Sequence, residues 1–222
     1  MSRSDFPMMW SSRLAYAIGL LATDGCLSPD GRHLDLTSKD VEQLENFKFC
    51  LDLSNKISPK KSGSGRISYH VQFGNVKFYR FLQKLGLSPR KSKILGPVKI
   101  PRKYFFDFLR GHFDGDGSFY AYLDPRWKNS LMFYMCFVSA SKDHIGWLQR
   151  EIKARLNING FITKAKRSSV YQLRYAKRES LKLIRRLYYN QQVICLSRKH
   201  RKIEAVLQRQ LSAGAVMVAR LA

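Results

Sequence analysis

The chain has 222 residues, with 40 Lys and Arg against 16 Asp and Glu, a net charge of +24 and an isoelectric point near 10.2. A hydrophobic content of 45% excludes a disordered chain, no apolar run is long enough to cross a membrane, and the N-terminus lacks the basic-then-apolar layout of a secretory signal. The expectation is a folded, intracellular protein of one or two domains with no membrane role and a polyanionic partner, nucleic acid above all. Residues 1–100 carry +8 and residues 101–222 carry +16, so the charge is not a detachable tail.

Leu14, Ile18 and Leu21 recur at helical spacing and predict a helix over 11–24. Cys26–Leu27, a Ser-Pro-Asp-Gly turn and the alternating run His33–Thr37 predict a hairpin. A second helix is expected over 40–53, capped by Ser38 or Asp40. A hairpin with a basic, Gly-rich tip follows over 57–73, then a helix over 75–85 stopped by Gly86. The proline-rich stretch 88–101 reads as a linker between halves 1–87 and 102–222. Beyond it the order returns: a helix over 102–115, strands over 118–124 and 130–140, a helix over 142–156, a hairpin over 160–175 turning near Arg167, and helices over 179–189 and 198–211. The fold class is therefore α+β, two pseudo-symmetric α-β-β-α-β-β-α repeats.

Cys26, Cys50, Cys136 and Cys195 form no CxxC pair, and the five histidines form no ligand pair, which argues against structural zinc and for buried free thiols. Two segments register the halves on each other: Ala17-Ile-Gly-Leu-Leu-Ala-Thr-Asp-Gly25 and Leu109-Arg-Gly-His-Phe-Asp-Gly-Asp-Gly117. Each has Gly third, Asp eighth and Gly ninth, and each closes a predicted helix ahead of a strand. Either Asp-Gly pair alone reads as a turn; two matched copies in a basic chain do not. An EF-hand reading of Asp114–Ser118 fails because Pro125 stands where the loop needs a bidentate Glu.

Over roughly residues 11–211 the chain resembles the LAGLIDADG homing endonucleases in their single-chain, two-motif form. The small residues Ala15, Gly19, Gly111 and Gly115 lie four apart on one face of each motif helix, which lets two backbones approach closely. Such packing brings Asp24 and Asp116 together at the negative ends of two helix dipoles. A divalent cation offsets that charge, and oxygen ligands without nearby His or Cys suit Mg²⁺.

The resemblance implies a site-specific, monomeric endonuclease that cuts both strands of duplex DNA by metal-dependent phosphodiester hydrolysis, leaving 3′ overhangs. It implies Asp24 and Asp116 as metal ligands, with the carbonyls of Thr23 and Gly115 beside them, and Mg²⁺ as cofactor, replaceable in the site by Mn²⁺ or Ca²⁺. It also implies assisting lysines. Lys39 and Lys142 match at strand-to-helix junctions, and Lys91 and Lys199 form a second candidate pair. Recognition is expected from curved sheets in the major groove. The first half offers Ser28, Arg32, His33, Asp35, Lys60, Lys61, Arg66, Ser68, His70 and Gln72, and the second Tyr120, Tyr122, Arg126, Lys128, Lys164, Lys166, Arg167, Tyr171, Gln172 and Arg174. Phe133, Tyr134 and Phe137 are read as core.

Fifteen positions separate Asp24 from Lys39 and 26 separate Asp116 from Lys142, so the second half has a longer first hairpin and the target is asymmetric. Two alternatives stay open: an intron-RNA maturase, and a non-catalytic DNA-binding regulator on the same scaffold.

Overall fold

The computed structural model describes residues 8–61, 65–126, 130–164 and 169–219. The first half runs α1 (Ser12–Thr23), β1 (Gly25–Leu27), β2 (His33–Ser38), α2 (Val41–Leu51), β3 (Ser58–Lys61), β4 (Ile67–Gly74) and α3 (Val76–Leu85). The second runs α4 (Phe105–Asp116), β5 (Ser118–Leu123), β6 (Leu131–Ser139), α5 (Lys142–Leu156), β7 (Phe161–Lys164), β8 (Tyr171–Tyr175) and α6 (Lys177–Leu187), followed by α7 (Ser197–Ala219). The α+β repeat expected from the sequence is present twice. Each half folds its strands into a four-stranded antiparallel sheet, ordered β1-β2-β4-β3 and β5-β6-β8-β7.

The halves join through α1 and α4. Every residue of α1 from Leu14 to Ala22 is buried, as expected of a helix that is apolar on all sides. The two backbones meet most tightly at two glycines. A Cβ on Gly19 would lie 2.2 Å from the carbonyl oxygen of Phe108, and one on Gly111 would lie 2.1 Å from that of Tyr16. Any side chain there would force the backbones apart.

Local chemistry sets the element ends. Ser11, Asn75 and Ser141 cap α1, α3 and α5 by accepting from Leu14, Phe78 and His144. Gly86 ends α3 at φ 108°, and Asp52 and Asn157 end α2 and α5 at matching left-handed positions. At α2 the expectation fails in detail. Asp40 occupies the cap position, but its carboxylate accepts from Arg198 at 2.6 Å and caps nothing.

The second half is not a plain copy of the first. β5 and β6 are longer than β1 and β2, as the spacing of the motifs requires. α4 carries buried polar groups that α1 lacks. Arg110, 1% exposed, pairs with Asp107 at 2.8 Å and donates to the carbonyls of Leu187 and Ile194. That bond set ties the α6–α7 connection onto α4. Asp114, fully buried, accepts from Tyr16 Oη and the Leu196 amide, both at 2.8 Å. α7 extends beyond the expected end at residue 211. Cys50 and Cys136 are buried as expected, whereas Cys26 is exposed.

Candidate active site

Close packing of α1 on α4 carries their C-terminal ends into contact. A Cβ on Gly115 would lie 2.0 Å from Thr23 Oγ1 and 3.0 Å from Asp24 Oδ2, so Asp24 is pressed against the end of α4 that presents Asp116. Asp24 accepts from Gln43 Nε2 at 2.6 Å, while the Asp116 carboxylate has no hydrogen-bond or ion-pair partner among the described residues. Desolvation raises both acids. In Asp24 the Gln43 hydrogen bond and the charges of Lys199 and Lys91 oppose it. Asp116 is solvent-accessible at its tip, yet the protein crowded around it and the charge of Asp24 push it up to about 6.

Two buried lysines face this pair. Lys91, 5% exposed, donates from Nζ to the carbonyl of Gly25. Lys199, 8% exposed, donates to the carbonyls of Phe113 (2.6 Å), Asp114 (2.8 Å), Gly115 (3.2 Å) and Gly117 (2.6 Å). Three ammonium protons thus serve four acceptors at the end of α4. Burial lowers both lysines against the pull of the aspartates, Lys199 to about 8. The other lysine pair is placed differently. Lys39 is exposed and lines a cavity of about 710 Å³ with Asp24, Gln43, Gly115 and Arg198. Lys142 is exposed and borders a separate cavity with Arg150, Lys164 and Tyr171.

Strand register decides which candidates leave the helix-facing side. In the first sheet, His33, Asp35, Ser68, His70 and Gln72 alternate with buried Leu34, Leu36, Val71 and Phe73, and pairing with Ser68 puts Lys60 on their face and Lys61 on the other. Asp35 gathers this face, accepting from His70 Nδ1 (2.6 Å), Thr37 Oγ1 (2.7 Å) and Lys60 Nζ (3.4 Å). Desolvation opposes ionisation there, but those partners hold Asp35 below the usual carboxylate range. Ser28 engages its backbone with His33 and Tyr79, and Arg32 and Arg66 are exposed.

In the second sheet Tyr120, Tyr122, Gln172 and Arg174 face outward, whereas Tyr171 and Lys164 fall on the face packed toward α5, with Lys164 Nζ over the Tyr171 ring. Arg126 pairs with Asp124 at 2.8 Å. Lys128, Lys166 and Arg167 lie outside the described residues. Phe133 and Phe137 are core, but Tyr134 is not. Its ring stacks on Tyr120 at 5.2 Å and on Tyr122 at 6.3 Å, forming an outward ladder of three tyrosines.

Gln43 was not anticipated from the sequence, although it stands three residues after Asp40, where a capping box would place a glutamine. It turns instead to Asp24, with its Oε1 accepting from Ser38.

Comparison of the sequence with family profiles and with curated proteins gives no match. Solved structures share the fold. The homing endonuclease I-WcaI bound to its DNA recognition sequence matches with a TM-score of 0.60, covering 86% of this chain and 86% of its own, at 14% identity. I-DmoI in complex with DNA and Mn matches at 0.53, covering 81% and 97%, with 16% identity. Full-length DUF199/WhiA from Thermatoga maritima matches at 0.58, covering 98% and 71%, with 14% identity. The chain has the LAGLIDADG fold. At these identities the likeness carries the fold alone.

Proposed function

We propose that this chain of LAGLIDADG fold is a divalent-metal-dependent endonuclease that cuts both strands of a long, asymmetric duplex DNA target, acts as a monomer and leaves 3′ overhangs. The observation that carries the reading is the abutment of Asp24 and Asp116 at the ends of α1 and α4, each beside a buried lysine. A fold that needs only a scaffold has no use for two carboxylates raised by burial, the second also by the charge of the first, at a solvent-facing junction. The net charge of +24 and the DNA-bound state of I-WcaI and I-DmoI support duplex DNA as the partner.

The donor set fits Mg²⁺ or Mn²⁺. Among the described residues no cluster of three or more His, Cys, Asp or Glu could enclose a metal, and Asp24 with Asp116 supplies the one or two carboxylates that a hydrated Mg²⁺ takes. The carbonyls of Thr23 and Gly115 flank them. Bound there, the metal supplies Lewis acidity to a scissile phosphate.

The protein's own groups do the rest. Gln43 orients the Asp24 carboxylate through the 2.6 Å bond. Lys91 and Lys199 place positive charge where negative charge builds on the phosphate. Lys39, on the rim of the cavity beside Asp24, contacts the DNA backbone. Outward residues of the two sheets, with Asp35 and the tyrosine ladder at their centres, read base edges. The unequal first hairpins make the two half-sites unequal.

The test is incubation of the purified chain with duplex DNA spanning the gene's own insertion junction, insert removed, with and without Mg²⁺. Cutting of both strands only with metal is expected. Tight binding without cutting in Mg²⁺ or Mn²⁺ replaces this reading with a non-catalytic one.

A further inference from the structure

At the other pole of α4 lies a cavity that the cleavage reading does not use. It has a volume of about 390 Å³ and is lined by Arg102, Lys103, Phe106, Arg155 and Arg186. Three element ends converge there: the start of α4, the last turn of α5 and the last turn of α6. α4 has 12 residues, so this pole stands about 18 Å along the helix from Asp116.

A cation in the last turn of a helix ordinarily serves the helix end, and Arg155 does bond the Glu151 carbonyl. The arrangement exceeds that role. Arg155 lies on the Phe105 ring at 4.1 Å and Arg186 on the Phe106 ring at 4.9 Å, so aromatic floors hold both guanidinium groups in place. Arg155 Nε is buried with no hydrogen-bond partner among the described residues. Glu151 pairs with Arg155, while Arg102, Lys103 and Arg186 make no ion pair among the described residues. Three cations without an acid around one concavity repel unless an anion joins them.

We infer that this cavity is a second anion site, which takes a multiply charged phosphoanion: Arg102, Lys103 and Arg186 grip its oxygens at the rim and Arg155 donates from the wall. Planar guanidinium groups suit phosphate oxygens, and the volume lies at the lower end of the ~300–1,000 Å³ of small-ligand sites. Its source is either the phosphate of a single strand or a free polyphosphate.

Calorimetric titration of the full chain separates these. Sodium tripolyphosphate and a short 5′-phosphorylated single strand are titrated into wild type, into Arg102→Ala/Lys103→Ala/Arg186→Ala, and into Lys39→Ala/Arg198→Ala, which alters the cavity beside Asp24. The triple variant loses about tenfold in tripolyphosphate affinity, and the double variant does not. The same loss for the strand identifies a strand phosphate as the ligand, and its absence identifies a free phosphoanion. Arg102→Glu/Lys103→Glu, confined to two exposed side chains, repeats the loss with both aromatic stacks intact. Duplex binding by the triple variant stays within about twofold of wild type, since the cavity lies more than a Debye length from Asp116. Equal losses in the triple and double variants, or none in the triple variant, overturn the site. Neither readout involves cleavage, so this result stands apart from the nuclease test.

Discussion

Lys91 and Lys199 make the same contact in the two halves: each donates from Nζ to the carbonyl of the glycine that follows a motif aspartate, Gly25 after Asp24 and Gly117 after Asp116. The pair lies far apart in sequence and obeys the pseudo-twofold relation between α1 and α4. An ammonium at that carbonyl offsets both the negative end of the helix dipole and the adjacent carboxylate. Lys39 and Lys142 match equally well in sequence but are exposed and border different cavities.

Lys199→Met leaves four carbonyls without their shared donor, and a loss of about 2–4 kcal/mol is expected in urea unfolding at pH 7. Burial holds the folded Lys199 ammonium down at about 8, below the ordinary lysine value of 10.5. Between those values the unfolded chain holds more protons, so the wild type gains stability as pH rises through that window. The Met variant lacks that gain. Lys199→Arg does not restore the wild-type profile, because a planar guanidinium cannot point its donors into the same cluster.

Asp116→Asn raises stability. Burial and the charge of Asp24 push the folded carboxyl up to about 6 from the ordinary carboxylate value of 3.8, so the folded chain holds more protons in between. Its contribution is favourable at low pH and is lost as pH rises through about 6. Removing the charge returns about 1 kcal/mol at pH 7, reduced from the full shift because the group reaches solvent. In wild type, Mg²⁺ raises the melting temperature more at pH 7.5 than at pH 5, where protonation competes with the cation. Buried Asp114, also near 6, contributes to the same acid window and survives in the variant.

Gly19→Ala and Gly111→Ala each put a Cβ about 2 Å from a backbone oxygen of the facing helix. Each is expected to cost about 3 kcal/mol in chemical denaturation and to move the two aspartates apart. A loss below about 1 kcal/mol would show that the helices part easily.

Arg110→Met strands Asp107 in the interior and frees the carbonyls of Leu187 and Ile194. Breaking such a buried pair costs about 3–5 kcal/mol. Asp107→Asn/Arg110→Met recovers part of that loss, because no unpaired charge remains.

Much of this architecture is legible in the chain because its signals are local. Helical spacing in 11–24, the Ser-Pro-Asp-Gly turn and the alternation of His33–Thr37 each specify an element without tertiary help. The matched Gly and Asp positions give the α1–α4 seam as well. What escapes depends on partners distant in sequence. Tyr134 reads as core because Phe133 and Phe137 surround it, yet the register of β5 on β6 sets it on the open face with Tyr120 and Tyr122. Gln43 carries a capping-box signal, and only the approach of Asp24 diverts it. Lys91 and Lys199 stand in the sequence as one of two candidate lysine pairs, and only burial sets them apart from the exposed Lys39 and Lys142.

The central claim is tested most directly by cleavage of the junction duplex in Mg²⁺ by wild type, Asp24→Asn and Asp116→Asn side by side, with binding measured in Ca²⁺. The account predicts that wild type cuts both strands, that each variant loses at least about a thousandfold in rate, and that both bind duplex as tightly as wild type. Full-rate cutting by either variant, or failure of wild type to cut DNA that it binds, would contradict it.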